Sequence, residues 1–244
     1  MSTVEGVEHA TRVPEIGTLL GVWAHPDDEA YLSSGLMALV RSRGGRVVVA
    51  TATRGEHGTP DPVAWPPERL GPLRGRELTA SLAEVGVDEH RWFGHLDGTL
   101  PDVPFGRGVA DVAGVIDEVR PDVIVTFGPD GMTGHMDHRT VSAWVEEALQ
   151  VTGHRTELWF ATFTPAFHEE WGALNDEVGL WMATPPVTDQ ADLSAQVALS
   201  GELLERKHRA LRAHASQTRV LEELVGSQTY REWWSTESFI AEQR

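Results

Sequence analysis

The hydrophobic residues of this 244-residue chain alternate between short continuous runs and stretches with helical spacing. Continuous apolar runs rich in β-branched residues predict buried strands, and apolar residues three and four apart predict helices. The predicted strands cover 18–24, 46–53, 91–93, 122–127 and 158–162. The predicted helices cover 31–43, 70–85, 109–119, 137–151 and 201–224, the last with a break near Ser216.

Strands that alternate with helices imply βαβ units with right-handed crossovers. We therefore predict an α/β, Rossmann-like fold, a mostly parallel sheet flanked by helices, as a single domain over residues 1–244. We expect residues 1–17 to form a loose tail. Residues 163–244 are expected to be a less regular part of the same domain, with loops and one or two edge strands in 163–200.

Polar clusters follow the predicted strands directly. HPDDE begins at His25, RGEHG at Arg54, GHLDG at Gly94 and GPDGMTGHMDH at Gly128. A site in such a sheet lies beyond the carboxyl ends of its strands. We therefore expect these four segments, which are distant in sequence, to converge at one edge of the sheet and to form the active site there.

Composition narrows the chemistry that such a site can use. The 20 basic and 37 acidic residues give a net charge of −17, and a field of that sign repels nucleic acid and anionic lipid. Without cysteine, any metal must be held by His, Asp or Glu. No apolar run approaches a membrane span, and the first 17 residues do not resemble a signal peptide. We expect a cytoplasmic protein that acts on a small molecule, with no nucleic-acid or membrane partner; its oligomeric state stays open, a homo-oligomer included.

Two pairs of candidate metal ligands stand at predicted strand ends. His25 and Asp28 are three residues apart after the first strand, and His135 and His138 repeat that spacing at the start of a predicted helix. Residues three apart in a helical turn point to the same side. Imidazole and carboxylate suit a borderline metal such as zinc, and three such ligands leave a position open for catalysis. One pair alone is more often a helix cap with a satisfied polar residue than a metal site, and it is the presence of two pairs at strand ends of one sheet that favours a metal.

These segments resemble the signatures of the LmbE/PIG-L family. AHPDDE at 24–29 resembles the first signature, and TGHMDH at 133–138 resembles the second, usually GHPDH, with Met136 where proline is common. Weaker likenesses occur in the family's order. They are TRGEHG at 53–58, RGRE at 74–77, LDG at 96–98 and KHRALRAHASQ at 207–217. The likeness extends from about residue 18 to about residue 218.

The resemblance implies a Rossmann-like enzyme that binds zinc and removes N-acetyl groups, often from N-acetylglucosamine units. The implied metal ligands are His25, Asp28 and His138. Ferrous iron is the alternative metal, since His₂Asp ligation serves both ions. Asp27 is the implied general base. His135 is implied to stabilise the oxyanion or to act as an acid, with Asp137 orienting an imidazole.

Further side chains have two interpretations each. We expect Arg74 to hydrogen-bond substrate hydroxyls, and an ion pair with Glu77 or with an acidic loop is the structural alternative. Asp97 is expected to contact substrate too, although Asp-Gly is an ordinary turn former. Glu56 is expected to order its loop and support the metal site. The roles of three histidines stay open: His57, His95 and His214.

Other functions compete with deacetylation. An amidase of the same family that cuts a larger amide, such as a thiol conjugate, uses the same metal ligands. The size of the pocket therefore decides between the amidase and the deacetylase. A non-catalytic metal-binding module has no need of Asp27 beside the ligands. A nucleotide-binding oxidoreductase is disfavoured because no G-x-G-x-x-G follows the first strand. We expect specificity to reside in the loops 55–67 and 94–108 and in residues 163–190.

Overall fold

In the computed structural model, which describes residues 12–242, a seven-stranded sheet forms the centre. Its strands are β1 (Thr18–Trp23), β2 (Arg46–Thr51), β3 (Glu89–Trp92), β4 (Val123–Phe127), β5 (Glu157–Thr162), β6 (Ala195–Ala198) and β7 (Thr236–Ala241). The strand order is β3-β2-β1-β4-β5-β7-β6. Strands β1 to β5 pair in parallel, and β7 is antiparallel to both β5 and β6. The predicted α/β, mostly parallel fold is confirmed.

Helices cover the faces of this sheet. They are α1 (Asp28–Leu32), α2 (Ser34–Ser42), α3 (Pro67–Glu84), α4 (Phe105–Val119), α5 (Met136–Thr152), α6 (Pro165–Val178), α7 (Gly201–Ala213), α8 (Ala215–Val225) and α9 (Ser227–Trp233). A short 3₁₀ helix spans Leu100–Asp102. Within residues 12–242, none of the helices combines the length and the apolar character that crossing a bilayer requires.

The central strands are apolar because helices bury both of their sides. Every residue of β4 is buried, and so is all of β1 except its first residue. Helix α4 packs against α5 so closely that a Cβ on Gly108 would lie 2.0 Å from Trp144 Cε2. This contact holds α5, whose first turn carries the predicted metal ligand His138, firmly against α4.

Several boundaries differ from the sequence-based prediction. Helix α4 begins at Phe105, four residues earlier than predicted. Helix α6 occupies part of the segment that we assigned to loops and edge strands; the Thr164 hydroxyl caps it by accepting from the Phe167 N–H at 3.3 Å. The predicted break near Ser216 lies at His214, between α7 and α8.

The predicted loose tail falls mostly outside the described residues. From Arg12 onward the chain contacts the sheet, because the main chains of Arg12 and Gln196 exchange hydrogen bonds of 2.8 and 2.9 Å. Ile16 is buried in the core. Residues 12–17 therefore lie against the edge strand β6 and the sheet core.

Candidate metal centre and active site

The four polar segments converge at the carboxyl ends of β1 to β4, as the sequence predicted. His25, after β1, lies within 3.2 Å of Asp97 from the loop after β3 and of Asp137 from the segment after β4. Glu56, after β2, accepts the Asp97 N–H at 3.0 Å. Side chains from distant parts of the chain therefore share one buried site.

The two imidazoles and the carboxylate of the predicted metal ligands form a compact group, which we call the donor triangle. His25 Nδ1 lies 3.2 Å from His138 Nε2, and Asp28 lies 3.6 Å from the former and 3.4 Å from the latter. Ligands held 2.0–2.1 Å from a tetrahedral zinc ion are about 3.3–3.4 Å apart. The spacing of the donor triangle therefore fits a tetrahedral metal ion with one position left open.

Hydrogen bonds orient both imidazoles of the donor triangle. His25 Nε2 lies 3.1 Å from Asp97 Oδ1 and 3.2 Å from Asp137 Oδ2, and His138 Nδ1 lies 3.0 Å from the Gly131 carbonyl oxygen. Because oxygens of these types only accept, those ring nitrogens carry the protons. When His25 is neutral, its Nδ1 and the facing Nε2 of His138 each carry a lone pair, and a cation between them can accept both.

The electrostatic field around His25 favours positive charge. Burial by itself lowers the pKa of His25, but hydrogen bonds with Asp137 and Asp97 and the charge of Asp28 outweigh burial and raise the pKa to about 10. Burial and the neighbouring His25 together hold the pKa of His138 well below its usual value. The negative field that stabilises a proton on His25 would therefore also stabilise a divalent cation in the donor triangle.

A second compact group consists of His25, Asp97 and Asp137, whose ligand atoms lie within 4.8 Å of one another. Its carboxylates are already engaged: the His57 N–H donates to Asp97 at 2.9 Å and the Gly98 N–H donates to Asp137 at 2.8 Å. Carboxylates held in this way typically orient a metal-binding imidazole from behind. Asp97 and Asp137 fit that supporting position, on the far side of the His25 ring from the donor triangle.

His135 stands at the N-cap of α5, where its Nδ1 accepts the Asp137 N–H at 3.1 Å. A neutral ring therefore carries its proton on Nε2. Burial and the nearby His25 lower the pKa of His135, which favours that neutral form. The helix begins at Met136, whose side chain is 56% exposed and points away from the donor triangle's buried groups.

Asp27 lies beside the donor triangle in an unusual conformation. Its φ of 106° is in the left-handed region, which aspartate tolerates better than most residues. Its N–H donates to Glu29 Oε2 at 3.0 Å, and its carboxylate lies 3.3 Å from Arg74 Nη2. Burial raises the pKa of Asp27 to about 6, against the opposing charge of Arg74. The side chain keeps 18% exposure, so a small molecule can reach it.

His214 forms a buried brace with Glu29 behind Asp27. Its Nε2 lies 2.7 Å from Glu29 Oε1, and both side chains are fully buried. The Ser81 hydroxyl also donates to Glu29, at 3.4 Å. Helix α3 and the junction between α7 and α8 thereby contact the carboxylate that accepts the Asp27 N–H. His214, whose role the sequence left open, therefore braces the segment that carries Asp27.

Arg74 points into the protein. Its Nη1 donates to the Gly55 carbonyl at 2.7 Å and its Nη2 to the Pro26 carbonyl, and it forms an ion pair with Asp27 rather than Glu77. A Cβ on Gly55, which has a φ of +60°, would lie 2.2 Å from Nη1, so only glycine fits there. The structure therefore favours the ion-pair alternative over exposed contacts with substrate hydroxyls.

The remaining open histidines do not join the donor triangle. The His57 side chain is exposed, and His95 pairs with Asp111 at 3.0 Å. Sequence reasoning missed the Gly131 carbonyl and the Thr133 hydroxyl, the latter 3.3 Å from His138 Nδ1. A main-chain carbonyl carries no side-chain signal, although both residues lie in the cluster that contains the second ligand pair.

Known proteins resemble this chain in sequence. Residues 20–149 match the family model described as PIG-L, GlcNAc-PI de-N-acetylase. A 1D-myo-inositol 2-acetamido-2-deoxy-alpha-D-glucopyranoside deacetylase from Saccharomonospora viridis is 33% identical over 233 residues. That match covers 83% of this chain and 85% of the relative.

Solved structures share the fold at lower identity. An N,N'-diacetylchitobiose deacetylase from Pyrococcus horikoshii has a TM-score of 0.65 at 18% identity, covering 93% of this chain and 84% of that one. GalB, a 4-carboxy-2-hydroxymuconate hydratase from Pseudomonas putida, has a TM-score of 0.61 at 16% identity, with coverages of 93% and 96%. Since these names describe different reactions, the fold by itself does not select one. The match to the family model and the identity to the Saccharomonospora relative show that this chain belongs to the PIG-L family.

Proposed function

We propose that this protein is a metal-dependent hydrolase that removes the N-acetyl group from an amino sugar or its conjugate. The observation that carries the proposal is the donor triangle of His25, Asp28 and His138 with the accessible carboxylate of Asp27 beside it. The name of the Saccharomonospora relative, a deacetylase of a 2-acetamido sugar, supports the same reaction.

The metal in this proposal is zinc, with ferrous iron as the alternative, because two imidazoles and one carboxylate serve both ions. His25, Asp28 and His138 would hold it. When bound, such an ion supplies a Lewis acid for an amide carbonyl and acidifies a water molecule. Asp97 and Asp137 keep the His25 ring in the tautomer that a metal requires.

Asp27 serves as the general base in this proposal. It takes a proton from the attacking water, whose oxygen joins the carbonyl carbon, and returns a proton to the amine nitrogen when the C–N bond breaks. Proton transfer of this kind contributes on the order of 10²–10⁴ in rate. Arg74 and Glu29 hold the side chain and the main chain of Asp27, so the carboxylate stays in place without binding the metal.

His135 faces the negative charge that develops on the amide oxygen. With Nδ1 engaged at the start of α5, the ring offers its Nε2–H as the donor. The N-terminal end of α5 adds a favourable dipole at the same place. This assigns oxyanion stabilisation to the neutral imidazole, and the acid function falls to the proton that Asp27 has accepted.

Two variants test the proposal through metal content and amine release from N-acetylglucosamine and larger N-acetylated sugars. Asp27→Asn keeps the shape, and asparagine also tolerates the left-handed region, so it should retain zinc but lose at least about a hundredfold in kcat. His138→Ala should lose zinc. Asp117→Asn, an exposed change on α4, is the matched control and should do neither. Near-normal turnover by Asp27→Asn, or full zinc occupancy in His138→Ala, would reject the assigned role.

A further inference from the structure

A cleft lies between helix α3, helix α8 and the loop that follows β2. Its walls include Asp61 and Trp65 from the loop, Leu73 from α3, and Gln217 and Arg219 from α8. None of these five residues is a predicted metal ligand or a proposed catalytic group. The cleft is therefore a second candidate site, and it is built partly by the loop 55–67, where we expected specificity to reside.

A single guanidinium group lies between this cleft and the proposed general base. Arg74 Nη2 lies 3.3 Å from the Asp27 carboxylate. At the other end of the same guanidinium, a Cβ on Gly58, which lines the cleft, would lie 2.3 Å from Arg74 Nη1 and 3.3 Å from Gln217 Oε1. The separation of Asp27 from this wall of the cleft is therefore no greater than the length of a disaccharide.

Trp65 gives the cleft an aromatic surface that is fixed in position. The Arg69 guanidinium lies 4.2 Å from the centroid of the Trp65 ring, and Arg69 does not line the cleft. A hydrogen bond of 2.8 Å to the Ala64 carbonyl oxygen holds Arg69, and the Trp65 N–H donates to the Asp61 carbonyl oxygen at 3.0 Å. The indole is half-buried and supported from behind, so its remaining side is available to pack against the C–H face of a sugar ring.

Polar groups on the walls of the cleft are available to bind hydroxyl groups. Asp61 and Arg219 are exposed, and within residues 12–242 no ion pair involves either of them. Asp61 Oδ1 accepts the Ala64 N–H at 3.0 Å, which leaves Oδ2 for a ligand. Gln217 uses its amide nitrogen to donate to Ser216 Oγ at 3.1 Å and keeps its oxygen beside Gly58. Planar carboxylate, amide and guanidinium groups offer two atoms each, which suits neighbouring hydroxyls on one ring.

This combination of groups selects one chemical class of ligand. A purely apolar ligand would remove water from Asp61 and Arg219 without replacing its hydrogen bonds, which is unfavourable. A phosphate or another anion would meet the Asp61 carboxylate in the same cleft, within a protein of net charge −17. A neutral, hydroxylated ring satisfies the polar groups and covers the indole at the same time.

We propose that this cleft binds a second sugar ring of the substrate, joined to the amino sugar whose acetamide lies at the donor triangle. The inference deepens the proposed function and rests on it for the position of the acetamide. Trp65 packs against the C–H face of the second ring, and Asp61, Gln217 and Arg219 bind its hydroxyl groups. The protein therefore acts on the two-ring substrate in preference to free N-acetylglucosamine.

The test compares kcat/KM for N-acetylglucosamine with kcat/KM for two disaccharides, in which a second sugar is α-linked or β-linked to N-acetylglucosamine. At least one disaccharide should be preferred by about tenfold or more, and Trp65→Ala should lower that preference about tenfold while leaving the monosaccharide rate unchanged. Because the lost contact binds ground state and transition state alike, the change should appear in KM rather than in kcat.

Two variants serve as controls for this test. Trp65→Phe keeps an aromatic ring and should restore most of the preference. Trp171→Ala removes another half-buried tryptophan, on α6 and outside the cleft, and should keep the preference of the unaltered protein. Equal kcat/KM for all three substrates, or a preference that Trp65→Ala does not reduce, would overturn the inference.

Binding of the deacetylated disaccharides to the zinc-loaded protein supplies a readout that does not require turnover. Calorimetry should show that Trp65→Ala raises their Kd about tenfold and that Trp171→Ala does not. Binding that depends on Trp65, without hydrolysis of any acetamide, would contradict the proposed reaction and leave the cleft standing. Hydrolysis of the monosaccharide and both disaccharides at equal kcat/KM would contradict the cleft and leave the reaction standing.

Discussion

The support that Asp97 and Asp137 give to His25 can be measured as metal affinity. Both carboxylates lie 3.1–3.2 Å from His25 Nε2, on the ring edge opposite the donor triangle. Asp97→Asn removes one charge but keeps an oxygen that can accept from the ring. A change of this kind behind a metal ligand typically weakens binding 10–100-fold. Because Asp137 remains, we expect zinc affinity to fall by the lower end of that range, about tenfold, which corresponds to about 1.4 kcal/mol of binding free energy.

Competition with a chromophoric chelator of known zinc affinity measures this change directly. Thermal unfolding of the metal-free proteins should show that Asp97→Asn leaves the fold intact. Asp111→Asn, which alters a carboxylate paired with His95 away from the donor triangle, is the matched control and should leave zinc affinity unchanged. An unaltered affinity in Asp97→Asn would refute the supporting role. Complete loss of zinc would instead make Asp97 a ligand itself.

Two further predictions concern stability, both measured by denaturant unfolding. Lys207→Met should destabilise the protein by about 3–5 kcal/mol, because it leaves the buried carboxylate of Glu237 without its cation. The double variant Lys207→Met with Glu237→Gln should recover part of this loss. Additive effects of the two substitutions would contradict the pairing. Gly108→Ala should lower the free energy of unfolding by about 1–3 kcal/mol, because the added methyl overpacks against Trp144. Gly114→Ala, in the same helix with open space around it, should raise the free energy of unfolding by about 0.5–1 kcal/mol. Equal effects of the two substitutions would contradict the close contact at Gly108.

The part of the fold that local patterns encode could be predicted from the sequence. Strands β1, β2 and β4 are continuous apolar runs, and the polar clusters after them mark one sheet edge. The convergence of His25, Asp28 and His138 followed from that topology. Strand β7 was not predicted because Glu237 interrupts its apolar pattern. The Glu237 carboxylate can be buried because Lys207 and two main-chain N–H groups of α2 donate hydrogen bonds to it.

The local sequence also could not predict the direction in which a long side chain points. Whether Arg74 reaches substrate or folds inward depends on Gly55, nineteen residues away in sequence, where the absence of a side chain admits the guanidinium. Asp97 likewise faces His25 because the Glu56 carboxylate holds its main-chain N–H. The structure places Arg74 beside Asp27 and Asp97 beside His25, and these partners come from other strand ends, which no local motif indicates.

Anomalous diffraction at the zinc absorption edge, from crystals loaded with zinc, tests the identity of the metal ligands most directly. We predict one zinc ion within about 2.0–2.2 Å of His25 Nδ1, His138 Nε2 and an Asp28 oxygen, with Asp27 unbound. A peak on the opposite side of the His25 ring, among its Nε2 and the Asp97 and Asp137 carboxylates, would contradict the assignment.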